Sequence, residues 1–405
     1  MDLVEKQIAV SQLQLGMYVN RLDRDWLGTP FPLQGFFVTS PEDIELLHEY
    51  CDDVFIDVER QALHVVDRLA KLNTNRIEAM RDTVKYVDSA TLFEEAPRAR
   101  QASDIACNVA SQMLEDVRAG RKLSAEAIQG AVVPVVQSVL RNADAFFWIS
   151  ALLRRDSYIY SHAVNCSALA AALGRHMGFP EHVLVSLATG GFLLDVGKAE
   201  LPEEVLNAPN QLDKEVFWSV KKHVEGSLRI CEEAGIHDPD VKEMVATHHE
   251  RFDGSGYPSG LLRTRIPLFG RMAAVIDSFD AMTSHRAYQR AMSRHEALQH
   301  LYRGHDQLYQ RDIVEQLLQC LGIYPTGTLV ELSTGEVGVV MAQNQARRLR
   351  PRVMLLLDRL KQKFERYPEM DLMVTEKDAT GAKVDIVGTP DPGTWGLDPT
   401  ELYLV

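Results

Sequence analysis

The chain has 405 residues, with 43 Lys and Arg against 57 Asp and Glu, a formal net charge of −14 at neutral pH. That length predicts two or three domains, each able to bury a core. The acidic balance argues against non-specific binding to nucleic acid or an anionic membrane surface.

No apolar run approaches the ~18 residues of a spanning helix. The start, Met1-Asp2-Leu3-Val4-Glu5-Lys6, lacks a basic region leading into an apolar stretch. The five cysteines (Cys51, Cys107, Cys166, Cys231, Cys320) are scattered, without a Cys-x-x-Cys pair. Together these predict a cytoplasmic protein with reduced thiols.

In chain order, residues 1–60 alternate apolar and polar side chains. Met17-Tyr18-Val19, Phe36-Phe37-Val38 and Val54-Phe55-Ile56-Asp57-Val58 read as strands, and Ser40-Pro41 opens a helix through Tyr50, giving a small α+β domain. Residues 61–150 read as a linker and helical segment. The linker is polar to about residue 102, through Glu94-Glu95-Ala96-Pro97-Arg98, and helical periodicity returns at Ser103. Ser124 is the expected cap of the next helix, and Pro134 predicts a kink or break in it. These helices are expected to pack on the domain that follows and to offer a surface for a homodimer.

Residues 151–324 carry further helical patterns. Gly178 and Pro180 punctuate two helices, Gly235 ends a helix over Lys214–Ala234, and Ser293 with Glu296 forms a capping box. Val216, Val220, Val224 and Leu228 make a core stripe at period four. From residue 325 to 405 the period becomes two. Thr328–Leu332, Gly338–Met341 and Val353–Leu356 read as strands of a barrel-like extension, with Leu402–Val405 a further edge strand. Its basic cluster, Arg347, Arg348, Arg350 and Arg352, reads first as a solvated hairpin face and second as a phosphate or acidic-partner contact. The fold class is therefore mainly α: a helical bundle between a small N-terminal α+β domain and a C-terminal β-rich appendage.

The most informative stretch is His248-His249-Glu250-Arg251-Phe252-Asp253-Gly254-Ser255-Gly256-Tyr257-Pro258. Two histidines close a helical segment and a glycine-rich turn follows, holding imidazoles at the edge of a pocket that a phosphate can approach. Other residues of metal-ligand type stand on either side: His162, Asp195, His223 and Asp277. Asp277 lies in the helix Arg271–Ser284 among Val275, Ile276 and Phe279, where a carboxylate is costly to bury unless paired, hydrogen-bonded or metal-bound. Singly, each reads as an ordinary core or surface residue.

Collectively they carry a resemblance. Tyr158–His162, Asp195-Val196-Gly197-Lys198, Lys222-His223, the His248–Pro258 run, Ile266-Pro267, Ile276–Ser284 and Arg286-Ala287-Tyr288 stand in the order and spacing of the HD-GYP family, a branch of the HD superfamily of metal-dependent phosphohydrolases. The resemblance covers roughly residues 150–325. It implies an all-helical domain holding two, sometimes three, metal ions, usually iron or manganese, and hydrolysis of the bacterial messenger cyclic di-GMP. It further implies Asp195 and Lys198 as catalytic residues. It gives His162, Asp195, His223, His248, His249 and Asp277 as metal ligands, and Lys198, Tyr257 and Arg286 as substrate contacts. The bland readings are a surface salt bridge for Arg286 and a turn-stabilising aromatic for Tyr257.

One departure stands out. Where the superfamily carries the histidine of its His-Asp pair, this chain has Leu194. One metal thereby loses a ligand, while the set Asp195, His223, His248 and His249 stays intact, so one or two ions are expected. Tyr158 replaces the glutamate of three-metal members, and Tyr309-Gln310-Arg311-Asp312 lacks the family's Phe-Asp-Pro, a difference expected to affect packing. Three functions stay open: a phosphodiesterase of reduced activity, a weak or inactive receptor for the dinucleotide that docks partners such as diguanylate cyclases, and another HD-superfamily reaction such as nucleotide dephosphorylation.

Overall fold

The computed structural model describes residues 5–13, 17–24, 29, 36–38, 41–57, 78–152, 158–202, 205, 219–284, 291–344, 346–391 and 393–397. The chain forms two compact units, Met1–Ile77 and Glu78–Val405.

In the first unit, strands Glu5–Ala9 (β1), Tyr18–Leu22 (β2), Phe36–Phe37 (β3) and Asp53–Asp57 (β4) make an antiparallel sheet in the order β1-β4-β2-β3. Helix Pro41–Tyr50 (α1) precedes β4, with the bounds its Ser-Pro start predicts. Ile8, Val19, Leu22, Val54 and Ile56 of the strands are buried with Val10, just after β1, and Leu47 of α1, and together they build the core. Strand β1 was not foreseen. Its run Glu-Lys-Gln-Ile-Ala has one strongly apolar residue, and pairing with β4 in the register Glu5↔Asp57 to Ala9↔Asp53 makes it a strand.

The second unit opens with a strap along the bundle. Asp82 and Val84 donate backbone N–H bonds of 2.9 and 3.0 Å to Met177 and Gly178, and the Tyr86 hydroxyl donates to Phe179 O at 2.9 Å. Helix Leu92–Arg118 (α2) then begins well before Ser103, correcting the linker reading of residues 92–102. Thr91 and Glu94 form a capping box, and the charged run is helical because Glu95 is fully buried against Arg141 through bonds of 2.7 and 2.8 Å. Ser124 caps helix Ala125–Arg141 (α3) as expected, but Pro134 does not break it. Ala131, Val132, Val135 and Val136 are buried around the proline, and that packing outweighs one lost backbone bond.

The remaining helices are Ala143–Leu152 (α4), Tyr158–His176 (α5), Glu181–Leu193 (α6), His223–Glu233 (α7), Pro239–Thr247 (α8), Leu268–Thr283 (α9), Arg294–Arg303 (α10) and Arg311–Leu321 (α11). Gly191 lets α5 and α6 approach closely: a Cβ there would lie 2.6 Å from the Cys166 carbonyl oxygen. The helix expected over Lys214–Ala234 is interrupted at Lys222, beside a 2.6 Å hydrogen bond from His223 Nδ1 to Val220 O. Residues 214–218, Val216 among them, lie outside the described residues. Ser293 and Glu296 form the expected capping box of α10.

Strands Leu329–Leu332 (β5), Val337–Ala342 (β6), Arg352–Leu357 (β7), Glu369–Asp371 (β8) and Ile386–Gly388 (β9) complete the unit as an antiparallel sheet in the order β8-β7-β6-β5-β9. The first three follow the period-two runs; β8 and β9, three residues each, carry too few positions to show a period. Leu402–Val405 lie outside the described residues. Three of the four arginines of the basic cluster are paired with acids, Arg347 with Glu376, Arg352 with Glu369, and Arg350 with Asp385 and three backbone carbonyls, while Arg348 donates to the Gln319 carbonyl of α11. The chain is thus mainly α, with a small sheet at each end.

Candidate metal centre

Six of the residues singled out in the sequence meet in one buried place. His162 comes from the first turns of α5, Asp195 from the turn after α6, and His223 from the first residue of α7. His248 and His249 directly follow α8, and Asp277 lies in α9. The turn after α6 is fixed by Ser227, whose hydroxyl donates to Leu194 O at 3.0 Å and accepts the Gly197 N–H at 2.8 Å. No side chain fits at position 197, where a Cβ would sit 2.2 Å from His223 O.

Asp195 divides its two oxygens. Oδ1 lies 3.2 Å from His223 Nε2 and 3.7 Å from His248 Nε2; Oδ2 lies 3.3 Å from His162 Nε2 and 2.5 Å from Lys198 Nζ. Asp277 Oδ1 is 3.2 Å from the same His162 Nε2, and its Oδ2 is 3.8 Å from His249 Nδ1. Two groups result, Asp195–His223–His248–His249 and His162–Asp195–Asp277, each with ligand atoms within 4.8 Å of one another.

The hydrogen bonds say what these atoms face. His223 and His248 donate their Nδ1–H to Val220 O (2.6 Å) and Val245 O (2.8 Å), which leaves lone pairs on both Nε2 atoms, only 3.4 Å apart. His162 Nδ1 is 2.7 Å from the Asp280 carboxylate, and that bond likewise turns its Nε2 lone pair toward Asp195 and Asp277. Asp195 Oδ1 and His249 Nε2 are buried without a hydrogen-bond partner. Converging lone pairs and carboxylate oxygens repel one another unless a cation lies among them, so these residues fit a metal.

The electrostatics agree. Burial pushes the Asp195 carboxyl up, but the Lys198 ammonium outweighs it and holds the group well below the usual carboxylate range. Burial, reinforced by His248, drives His249 well below the usual histidine value. Burial also lowers His223 against the pull of Asp195. Neutral imidazoles around an ionised carboxylate are the protonation states that metal ligation needs.

Around this centre, Tyr257 lies with its ring 4.6 Å from that of His249, under the Lys221 ammonium at 4.8 Å. Its loop is packed from below: Glu250, 1% exposed, accepts the N–H groups of Ser259 (2.8 Å) and Leu261 (2.9 Å). A Cβ on Gly256 would lie 2.3 Å from Arg251 N and 2.5 Å from His249 O. Arg286 lies outside the described residues, and of Tyr158 only the backbone, at the start of α5, is described. Leu194 is buried, and with Ala110, Met113 and Leu114 of α2 it lines a small apolar pocket beside His162.

Sequence reasoning missed Asp280 and Glu250. Asp280 stands one turn beyond Asp277 in the same apolar helix, so the argument that singled out the first carboxylate applied to it equally. Asn165 Nδ2 donates to its other oxygen at 2.8 Å.

A model of the HD domain matches residues 147–313. A domain of unknown function (DUF3391) matches residues 5–128, and a KOW domain associated with the HD domain matches 329–378. Among relatives, the cyclic di-GMP phosphodiesterase PA4108 of Pseudomonas aeruginosa is 32% identical over 352 residues, 86% of this chain and 84% of its own. A cyclic di-GMP phosphodiesterase of Thermotoga maritima is 34% identical over 168 residues, covering 41% of this chain and 45% of its own. A 3'3'-cGAMP-specific phosphodiesterase of Vibrio cholerae is 31% identical over 160 residues, covering 39% and 31%. The chain belongs to the HD-GYP family of HD-domain metal-dependent phosphohydrolases. Among the described residues no helix is long and apolar enough to cross a membrane.

Proposed function

We propose that this protein is a metal-dependent phosphodiesterase that hydrolyses cyclic di-GMP in bacterial second-messenger signalling. The observation that carries the reading is the single carboxylate of Asp195 shared between two buried ligand groups, beside the Lys198 ammonium at 2.5 Å. His223, His248, His249 and Asp195 form the fuller group, and His162, Asp195 and Asp277 the other. Imidazole and carboxylate together suit iron or manganese. Metal ions bound there would supply an activated water nucleophile at neutral pH and offset charge on the phosphodiester.

The chain's own residues do the rest. Asp195, held ionised, keeps the two groups together. Lys198, 2.5 Å from it, places a positive charge where a bridging phosphate oxygen gains charge in the transition state. The Tyr257 ring offers a flat face to guanine, and Arg286, by the family resemblance, a fork for phosphate oxygens. The cell compartment in this reading is the cytoplasm, with a homodimer and diguanylate cyclase domains as protein partners.

Leu194 favours a second reading, a receptor or docking module that turns substrate over poorly. It places an apolar side chain against α2 where the family has a ligand, leaving the His162 group at three residues. One experiment separates the two: cyclic di-GMP and linear dinucleotide are quantified after incubation with protein reconstituted anaerobically with iron or manganese. Metal-dependent product supports the enzyme. Binding of the intact dinucleotide without product, at full metal content, supports the receptor.

A further inference from the structure

A cavity of about 560 Å³ lies in the second unit, between the strap at residues 82–88, helices α4 and α5, the start of α10 and the lead into the C-terminal sheet. None of His162, Asp195, His223, His248, His249 and Asp277 lines it, whereas Asp280, which is bonded to His162 Nδ1, does. Its walls hold buried polar groups without partners. Ser150, Arg175 and Gln343 line this cavity, and Ser150 Oγ, Arg175 Nε and Gln343 Oε1 are buried without a hydrogen bond. Buried polar atoms are rarely left so, because each forfeits its hydration without replacement.

Arg294 adds charge. Its guanidinium lines the cavity, is desolvated enough that burial lowers its pKa against the pull of Asp280, and among the described residues donates only to the Thr326 carbonyl. Among the described residues no carboxylate forms an ion pair with it. Arg175 spends one nitrogen on Asp88, at 2.7 Å, and its Nε is buried without a partner. Asp144 is already engaged, accepting from Thr326 Oγ1 (2.7 Å) and Gln343 N (2.9 Å). Tyr86, Phe147 and Phe279 supply aromatic wall. The unmet demand is therefore for one anionic group, a hydrogen-bond donor for Gln343, and a flat ring.

We propose that this cavity is a second ligand site, separate from the metal centre, that takes a nucleoside monophosphate. The phosphate meets Arg294 and Arg175 Nε, and the base lies against the aromatic wall with an N–H toward Gln343. The volume falls within the range of small-molecule sites, roughly 300–1,000 Å³. The cavity reaches the metal centre from behind, because Asp280 and Asn165 line it and Asp280 also holds His162 Nδ1. Occupancy is thereby felt at a residue facing Asp195.

The test is calorimetry of the full-length, metal-loaded protein with GMP and AMP as probes, repeated on three variants. Arg294→Gln removes the charge. Ser150→Leu fills the space and deletes an unpartnered hydroxyl, so it reports even where Arg294→Gln fails to fold. Asp195→Asn alters only the metal centre. At least a tenfold loss of affinity is expected in each cavity variant, with binding kept in Asp195→Asn. The proposal is overturned where neither nucleotide binds at millimolar concentration, or where binding survives Ser150→Leu and disappears with Asp195→Asn.

Discussion

At the scale of single residues, Asp195 carries the most consequence, because each of its oxygens belongs to a different ligand group. Asp195→Ala should take metal content to near zero by elemental analysis. His248→Ala, which removes one of two facing Nε2 lone pairs, should do the same, whereas His182→Ala, on an exposed residue of α6, should leave the content unchanged. Retention of a full complement in both centre variants would refute the ligand assignment. Asp144 is a second sensitive residue. Burial raises its carboxyl to about 6, against the opposing bonds from Gln343 and Thr326. A folded-state value above the unfolded one means the group stabilises below about pH 4 and loses that contribution as pH rises through about 6. Wild type should lose up to ~3 kcal/mol relative to Asp144→Asn between those limits, read from denaturant unfolding at each pH. A difference that does not vary with pH would show that Asp144 does not titrate there.

At the scale of elements, what could be read in the sequence follows the kind of signal each element left. The candidate ligand residues were legible because imidazole and carboxylate types recurred in a family order, and Asp277 because an apolar helix makes a carboxylate conspicuous. Boundaries were less legible. The start of α2 hid in a charged run, since Glu95 looks solvated until Arg141, 46 positions on, is seen to meet it. Pro134 signalled a break that packing overrode, and β1 depended on a partner strand. Glu95 gives the element-scale prediction. Its pair with Arg141 joins α2 to α3 with the carboxylate fully buried, and removing one partner of a buried pair typically costs about 3–5 kcal/mol. Arg141→Ala, which strands the buried Glu95 carboxylate, should lower stability by that order in chemical unfolding. A change below about 1 kcal/mol would place the pair among those that contribute little.

At the scale of the whole molecule, the metal centre is finished by an element outside the matched HD domain. Helix α2 lies N-terminal to residues 147–313, yet its Ala110, Met113 and Leu114 share a small apolar pocket with Leu194, immediately before Asp195. Leu194 and the helix thus form one hydrophobic contact, and the cost of replacing the leucine can be separated from the benefit. Leu194→His places an imidazole beside His162 and Asp195, where it can complete the three-residue group, at the price of a polar ring against α2. Without metal the variant should melt below wild type, because an unpaired buried polar group costs roughly 1–3 kcal/mol. With iron or manganese added it should recover that loss and rise from about one to about two ions per chain. Phosphodiesterase rate should rise with the second ion, by orders of magnitude if two-metal activation limits the reaction. Metal content and melting temperature decide the point independently of activity. A folded variant that gains neither ion nor metal-dependent stability would mean that more than Leu194 separates this centre from a two-metal site, and the receptor reading would then replace the enzyme.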